Sequence, residues 1–274
     1  MQYCIDYYKG FQYMNHVDEI TISYNRRDTS LLDFLILHKD KKINIYIEDA
    51  EDFLKNNNLD MFIQISKEYL DLDFRLKLKD PIKDDYSFQL YQKIRKETDI
   101  PYFFDTLISD WDTLQGYIKM SPISIYVVED LCFELDKIAD ILHLCGIKVR
   151  TFANVCQTKW KDTPSLKTFF VRPEDVSIYE NYIDVLEFFG NKKVLNTVYK
   201  VYTIDKKWFG ELKELIIRFD SNLDSRFIDP IFAVKRISCN KKCLKGGKCR
   251  VCERVEDLSE VLKNNKMIIK VDKN

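Results

Sequence analysis

The sequence predicts an α/β protein: a parallel (β/α)8 barrel of the TIM type, followed by a C-terminal helical, cysteine-rich extension. Three observations lead there. Short apolar runs recur about every 25 residues, most followed by an amphipathic stretch, and repeated β-α units of this kind build a parallel sheet. Most of these runs end in acidic or amide residues, so the strand ends share a chemistry. The length of 274 residues accommodates one barrel of about 250 residues with an appendage. The alternative is an open, doubly wound sheet. No glycine-rich turn follows an early strand, so the dinucleotide-binding fingerprint of such sheets is absent.

The strands are expected at 3–8 (YCIDYY), 20–24 (ITISY), 43–47 (INIYI), 74–78 (FRLKL), 101–104, 124–128 (SIYVV), 148–152 (KVRTF), 168–171 and 185–189. Between them, 11–19 reads as a short helix. Asp28, Thr29 and Ser30 offer caps for a helix whose apolar face is Leu31, Leu32, Phe34, Leu35 and Leu37. A longer helical region follows the third strand, broken at Asn56-Asn57-Asn58. Further helices are expected at 86–97, 110–119 and 133–144, the last stopped by Gly146. Nine strands are one too many for the barrel. The gap between Asp175 and Asp184 is short for a crossover, so 168–171 is read as an insertion between the last two barrel strands. The barrel is expected to occupy residues 1–190 and the extension 191–274. In the extension, 194–202 and 211–219 read as helices, 227–236 as irregular to extended, 255–263 as a short helix and 267–271 as a final strand.

Charge is high but balanced, 43 basic residues against 44 acidic, which gives no global attraction to nucleic acid or an anionic membrane. No apolar run is long enough to span a bilayer, and no basic, secretory-type leader precedes the first strand. Eight cysteines without such a leader point to a reducing, cytoplasmic setting with thiols reduced or metal-bound.

In a barrel of this kind the active site lies at the C-terminal ends of the strands. That rule gathers Asn25, Glu48, Asp49, Asp105, Glu129, Asp130, Asn154, Cys156, Arg172, Glu174, Asp175 and Glu187 near one face. Close carboxylates raise one another's pKa and serve acid–base work or hold a cation. An Asp at a strand end also caps the following helix, so a purely structural role competes at each position. Asn25, Glu48, Asp105, Glu129 and Asn154 are assigned to substrate binding. Arg172, Glu174, Asp175, Glu187 and Cys156 are assigned to catalysis, with Arg172 pairing an anion and a carboxylate handling protons. His16, His38 and His143 fall on helices or at their ends, so no histidine-based triad is supported. Cys239, Cys243, Cys249 and Cys252 stand within fourteen residues, with Gly246-Gly247 allowing a tight turn and lysines favouring thiolate. Four such ligands suit tetrahedral zinc or an iron–sulfur cluster, and spacing alone does not choose between them. Cys4, Cys132 and Cys145 read as core residues.

With these residues assembled, the chain resembles the collagenase-like peptidase U-32 family. Asn154-Val155-Cys156 is similar to that family's Asn-x-Cys. Val171-Arg172-Pro173-Glu174-Asp175, followed by Tyr179, is similar to its Ile-Arg-Pro-Glu-Asp and downstream tyrosine. The stretch 183–190 (IDVLEFFG) is similar to its closing strand, and the cysteine group to a tail of some members. The resemblance implies a barrel that in some members holds a [4Fe–4S] cluster. It also implies peptidase activity or oxygen-independent hydroxylation of RNA or quinone precursors. The chain departs from the pattern in three places. No further cysteine lies between Cys156 and Arg172, Glu187 stands at the closing lysine position, and Asn191 at the closing arginine position. The expected function is therefore a divergent barrel protein with an iron–sulfur cluster or zinc, modifying RNA or a small aromatic substrate. One alternative is a non-catalytic, zinc-stapled barrel that contacts a protein or nucleic acid. The other is a peptidase, for which Cys156 is the candidate nucleophile.

Overall fold

The computed structural model describes residues 1–24, 30–155, 169–219, 223–228, 231–237, 239 and 251–264. Nine strands appear among them: β1 (Gln2–Asp6), β2 (Glu19–Ser23), β3 (Lys42–Ile47), β4 (Phe74–Leu78), β5 (Tyr102–Phe104), β6 (Leu107–Ile108), β7 (Ser124–Val127), β8 (Lys148–Phe152) and β9 (Val185–Phe188). All pairings are parallel and the order is β5-β4-β3-β2-β1-β9-β8-β7-β6. The two ends of that order, β5 and β6, are consecutive in the chain, separated only by Asp105-Thr106. They are two halves of one kinked strand. Its first half bonds to β4, and the Ile123 amide, just ahead of β7, donates to the Tyr102 carbonyl at 2.9 Å. Its second half pairs with β7. The sheet thus curls round on itself as an eight-membered TIM-type barrel, as the sequence predicts.

Expected strand 168–171 contributes nothing to this sheet where it is described: β8 pairs directly with β9, and Phe169–Val171 lie between them in sequence only. Reading this stretch as an insertion between the last two barrel strands is therefore borne out. The helices are α1 (Leu31–Leu37), α2 (Ala50–Lys55), α3 (Asn58–Glu68), α4 (Asp85–Glu97), α5 (Trp111–Lys119), α6 (Leu135–Leu144), α7 (Val176–Tyr179), α8 (Lys192–Lys200), α9 (Ile231–Ile237) and α10 (Val251–Asn264). Asn57 takes a left-handed φ of 52° at the break between α2 and α3. Gly146 ends α6 with φ 71°, a conformation that a side chain disfavours. None of the described helices is long and apolar enough to cross a membrane.

The strands alternate. Ile5, Ile20, Ile43, Ile45, Leu76 and Leu186 point outward and are buried under helix residues such as Leu35, Phe62, Leu90 and Ile138. Burying each such side chain contributes about 1.5–3 kcal/mol, so this layer between sheet and helices is where the fold gets its apolar core. The intervening residues point into the barrel, and most are polar or charged.

Three expectations differ in local type. Residues 11–19 form only one 3-10 turn, Met14–His16. Residues 211–219 are not a helix: a 3-10 turn at Leu212–Glu214 is flanked by bridges Glu211↔Asp224 and Val155↔Ile217, and Arg218 has φ 63°. Residues 227–236 are largely helical, as α9. The 267–271 strand lies outside the described residues. The segment after β9 packs back on the barrel through Tyr199, whose hydroxyl donates to the His16 carbonyl at 2.6 Å, and through Tyr202 against Phe188.

Candidate active site

Charged side chains fill the barrel in a continuous ladder. At the lower end Arg75 (β4) donates to Glu19 Oε1 (β2) at 2.9 Å, and its outer nitrogen lies 3.4 Å from Asp73. Glu19 Oε2 receives Arg150 (β8) at 2.5 Å and Asn44 (β3) at 3.3 Å. Arg150 also reaches Glu187 Oε2 (β9) at 3.4 Å and lies over the Phe103 ring at 4.7 Å. The Tyr126 hydroxyl (β7) donates to the same Glu187 oxygen at 2.5 Å. Glu187 Oε1 turns toward Lys77 (β4) at 3.7 Å, and Lys77 meets Asp105 at 3.0 Å. Several of these contacts, such as Glu19–Arg150, Glu19–Arg75 and Glu187–Lys77, link strands that are not neighbours in the sheet, as inward-facing side chains can.

The physical reason for this arrangement is pairing. A buried ion is tolerated only when its charge and hydrogen-bonding capacity are met. Glu19 is fully buried, and burial alone pushes its pKa up. Arg150 and Arg75 outweigh that and bring it down to about 2. Lys77 is opposed by burial too, yet Glu187, Tyr126 and Asp105 raise its pKa and hold it charged. A small apolar cluster of Phe103, Tyr126, Val128 and Phe152 closes one side of the barrel lumen.

The ladder ends at the C-terminal mouth. There a cavity of about 630 Å³ is lined by Asp6, Tyr7, Tyr24, Phe34, Tyr46, Lys77, Asp105 and Phe189, with Thr21, Ile22, Ser23, Ser30 and Leu31. Lys77 Nζ lies 5.6 Å from the Tyr46 ring centre and 5.1 Å from that of Tyr126. Asp6, at the end of β1, opens onto this space. Asp6 is exposed at the mouth, yet desolvation by the residues around it, then Glu187, raise its pKa from 3.8 to about 6, Asp105 adding to the rise and Lys77 opposing it. Tyr46 is raised as well, by burial and then by Asp105. A carboxyl held protonated toward neutral pH beside a lysine can take part in proton transfer. A second open cavity, of about 860 Å³, adjoins the mouth and is lined by Ser23, Glu48, Asp49, Lys79, Asp84 and Tyr86, among others.

The residues expected at the site are distributed unevenly. Asp105 lies at the mouth, and Glu48 in the adjoining cavity. Glu187 is inside the barrel rather than at its rim, fully buried. Asp49 caps α2, accepting from the Asp52 amide at 2.9 Å. Asn154 is buried and holds the Phe189 backbone on both sides, donating to its carbonyl at 2.7 Å and accepting from its amide at 2.9 Å. Glu129 begins a 3-10 turn, Glu129–Phe133, after β7. Asn25 and Cys156 lie outside the described residues.

Arg172 is not a cation facing the mouth. It is 1% exposed and grips Asp175 with two nitrogens, at 2.6 and 2.7 Å. It also donates to the carbonyls of Ile228 (3.1 Å) and Ser225 (3.3 Å). Glu174 accepts from the Ser225 hydroxyl, and burial raises its pKa against the pull of Arg172 and Ser225. The Tyr202 hydroxyl donates to the Val171 carbonyl at 2.6 Å. Pro173 opens the 3-10 turn that sets up this arrangement. The segment 171–175 thus fastens the part of the chain around 225–228 to the barrel.

Of the four cysteines assigned to a metal, Cys239 and Cys252 are half-buried thiols packed against the core, while Cys243 and Cys249 lie outside the described residues. Among the described residues no three His, Cys, Asp or Glu side chains cluster as a metal site.

Asp6, Glu19, Lys77, Arg75, Arg150 and Tyr126 line the lumen and its mouth and are not among the residues that the sequence assigned to the site. Their signal was nevertheless present in the strands: FRLKL and KVRTF place charges, and EITIS one charge and two hydroxyls, at alternate positions, where strands of a parallel sheet usually run apolar throughout.

Fold and site together define a (β/α)8 barrel whose lumen is an ion ladder rising to a mouth lined by carboxylates, a lysine and aromatic rings. No family model matches the chain. Over 99 residues, 34% of its length, it is 27% identical to a protein of Methanocaldococcus jannaschii described as an uncharacterized protease, MJ1657. The match spans 29% of that relative. Among solved structures it is similar to the U32 peptidase Mk0906, with 11% identity and a TM-score of 0.43 over 70% of this chain and 93% of that one. The chain resembles the peptidase U-32 family, as its motifs indicate, and stands at a distance from both proteins.

Proposed function

We propose that this chain is a divergent U-32-like barrel enzyme that modifies a planar aromatic group, an RNA base or a small aromatic molecule, in the cavity at its C-terminal mouth. One observation carries this reading. Tyr7, Tyr24, Phe34, Tyr46 and Phe189 surround a polar floor of Asp6, Lys77 and Asp105. Aromatic walls take up a flat ring at about 1–3 kcal/mol per stacked base. The cavity is of the size that small-molecule sites use, about 300–1,000 Å³. Lys77 orients an electron-rich substituent, and the carboxyls handle protons. Cys239, Cys243, Cys249 and Cys252 would hold an iron–sulfur cluster or zinc, a donor set suited to either. A cluster supplies electron transfer; zinc supplies a staple for the C-terminal segment.

The test is mass spectrometry of RNA nucleosides and small aromatic metabolites from cells lacking the chain, complemented with wild type or with Lys77→Met. A modified nucleoside or aromatic product should vanish in the deletion and return only with wild type. Identical pools in all strains would sink the reading. A peptidase reading is favoured by the description of the archaeal relative as a protease. Cleavage of a peptide library by the purified chain, lost in Cys156→Ser, would establish it instead. Anaerobic purification separates the two metals: about four irons and a brown colour, or a single zinc.

A further inference from the structure

We infer that Asp6 is the proton-transferring carboxyl of the mouth, and that Glu187 and Lys77 are positioning residues that govern when it holds its proton. The inference rests on the mouth being the functional site and goes further by naming its acid.

The geometry runs through the register. Asp6 stands opposite Thr21 on β2, and Cys4, two residues below it, stands opposite Glu187 on β9. Glu187 therefore occupies the inward layer beneath Asp6 on an adjoining strand. Lys77 reaches across from β4 and divides its ammonium between Asp105 at 3.0 Å and Glu187 at 3.7 Å. Asp6 has no salt bridge with any described residue. The groups around it are Thr21 from β2, Tyr46 from β3, Lys77 from β4, Asp105 beyond β5 and Phe189 just after β9, with Glu187 of β9 acting on it by charge.

Among the described interior groups Arg75, Arg150 and Lys77 are matched by Glu19, Glu187 and Asp105. The ladder is balanced without Asp6, so an ionised Asp6 adds an unmatched negative charge beside two carboxylates. Like charges at such range favour the protonated form of one member. The direction of the Asp6 pKa agrees. With a ligand in the cavity, the Asp6 carboxyl gives its proton to a basic oxygen or nitrogen of that ligand. The carboxylate left behind lies near the Lys77 ammonium and regains a proton from water.

The test is a carbon-13 NMR titration of the Asp6 carboxyl in the full chain, with no ligand. The wild-type midpoint should lie at about 6. Removing the Asp105 charge in Asp105→Asn frees Lys77 and should lower the midpoint by about one unit. Glu187→Gln should lower it too, where that variant folds; Asp105→Asn alone decides the matter, since Asp105 is on the rim. An ordinary aspartate midpoint of about 4 in the wild type overturns the inference. So does a midpoint that Asp105→Asn leaves unmoved. Either result leaves the aromatic-substrate reading standing, while unchanged RNA and metabolite pools would remove that reading and leave the titration intact.

Discussion

Replacing Glu19 by Gln tests whether the ion ladder stabilises the barrel. The substitution keeps the shape and removes the charge that lies between Arg75 at 2.9 Å and Arg150 at 2.5 Å. Glu19 is fully buried, and its pKa lies at about 2 against an ordinary 4.5. A depression of that size corresponds to about 3 kcal/mol of folding free energy at neutral pH. Breaking one partner out of a buried pair typically costs about 3–5 kcal/mol, so two independent estimates agree. The sign follows from linkage. The contribution is complete above the unfolded value of 4.5 and is lost as pH falls through the folded value of about 2. Urea unfolding of both proteins at pH 7 should therefore show the variant weaker by about 3 kcal/mol, or about 6–12 °C in Tm. The gap should close as the pH is lowered toward 2. A loss under about 1 kcal/mol at pH 7 would refute the pairing argument, as would a gap that acid leaves unchanged.

Other outcomes follow from the same contacts. Arg172→Met should lower stability by about 3–5 kcal/mol, because Asp175 and the carbonyls of Ser225 and Ile228 lose their partner; adding Asp175→Leu should recover part of the loss, and equal urea midpoints for wild type and Arg172→Met would contradict the buried clamp. Asp6→Asn should gain stability relative to wild type above pH 6, since a carboxyl with a raised folded pKa is increasingly unfavourable in the fold as it ionises; the comparison is of unfolding midpoints at pH 4 and pH 7.5, and a gap that does not open with pH would contradict it. Iodoacetamide should label the exposed Cys145 well before Cys4 and Cys132, which should be spared until unfolding because both are buried and burial raises the Cys4 thiol pKa; peptide mass spectrometry reads the order of these three, and early labelling of Cys4 would contradict its place in the lumen.

Much of the fold was legible in the sequence because the outward faces of the strands are continuous in apolar character. Ile43, Ile45 and Ile47 announce a strand wherever they fall. The extra strand candidate was recognisable from the short gap after Asp175. The interior was harder to see. Arg75, Lys77 and Arg150 each look like one charge among apolar neighbours, and only barrel closure brings β4 and β8 to the same lumen. The strand-end rule pointed to Asp105 and Glu48, which line the two cavities, but passed over Asp6, which ends its strand within a run of tyrosines. Arg172-Pro173-Glu174-Asp175 was conspicuous as a motif. Its inward turn was not, because that depends on carbonyls more than fifty residues later in the chain.

Under the proposed function, the aromatic-walled mouth is where this protein takes its ligand. The most direct test is protein-observed NMR of the full chain with uridine and with 4-hydroxybenzoate as probes. The expected result is shift changes confined to Tyr7, Phe34, Tyr46, Lys77 and Phe189, abolished in Tyr46→Ala. Changes located elsewhere on the barrel, or none with either probe, would contradict it.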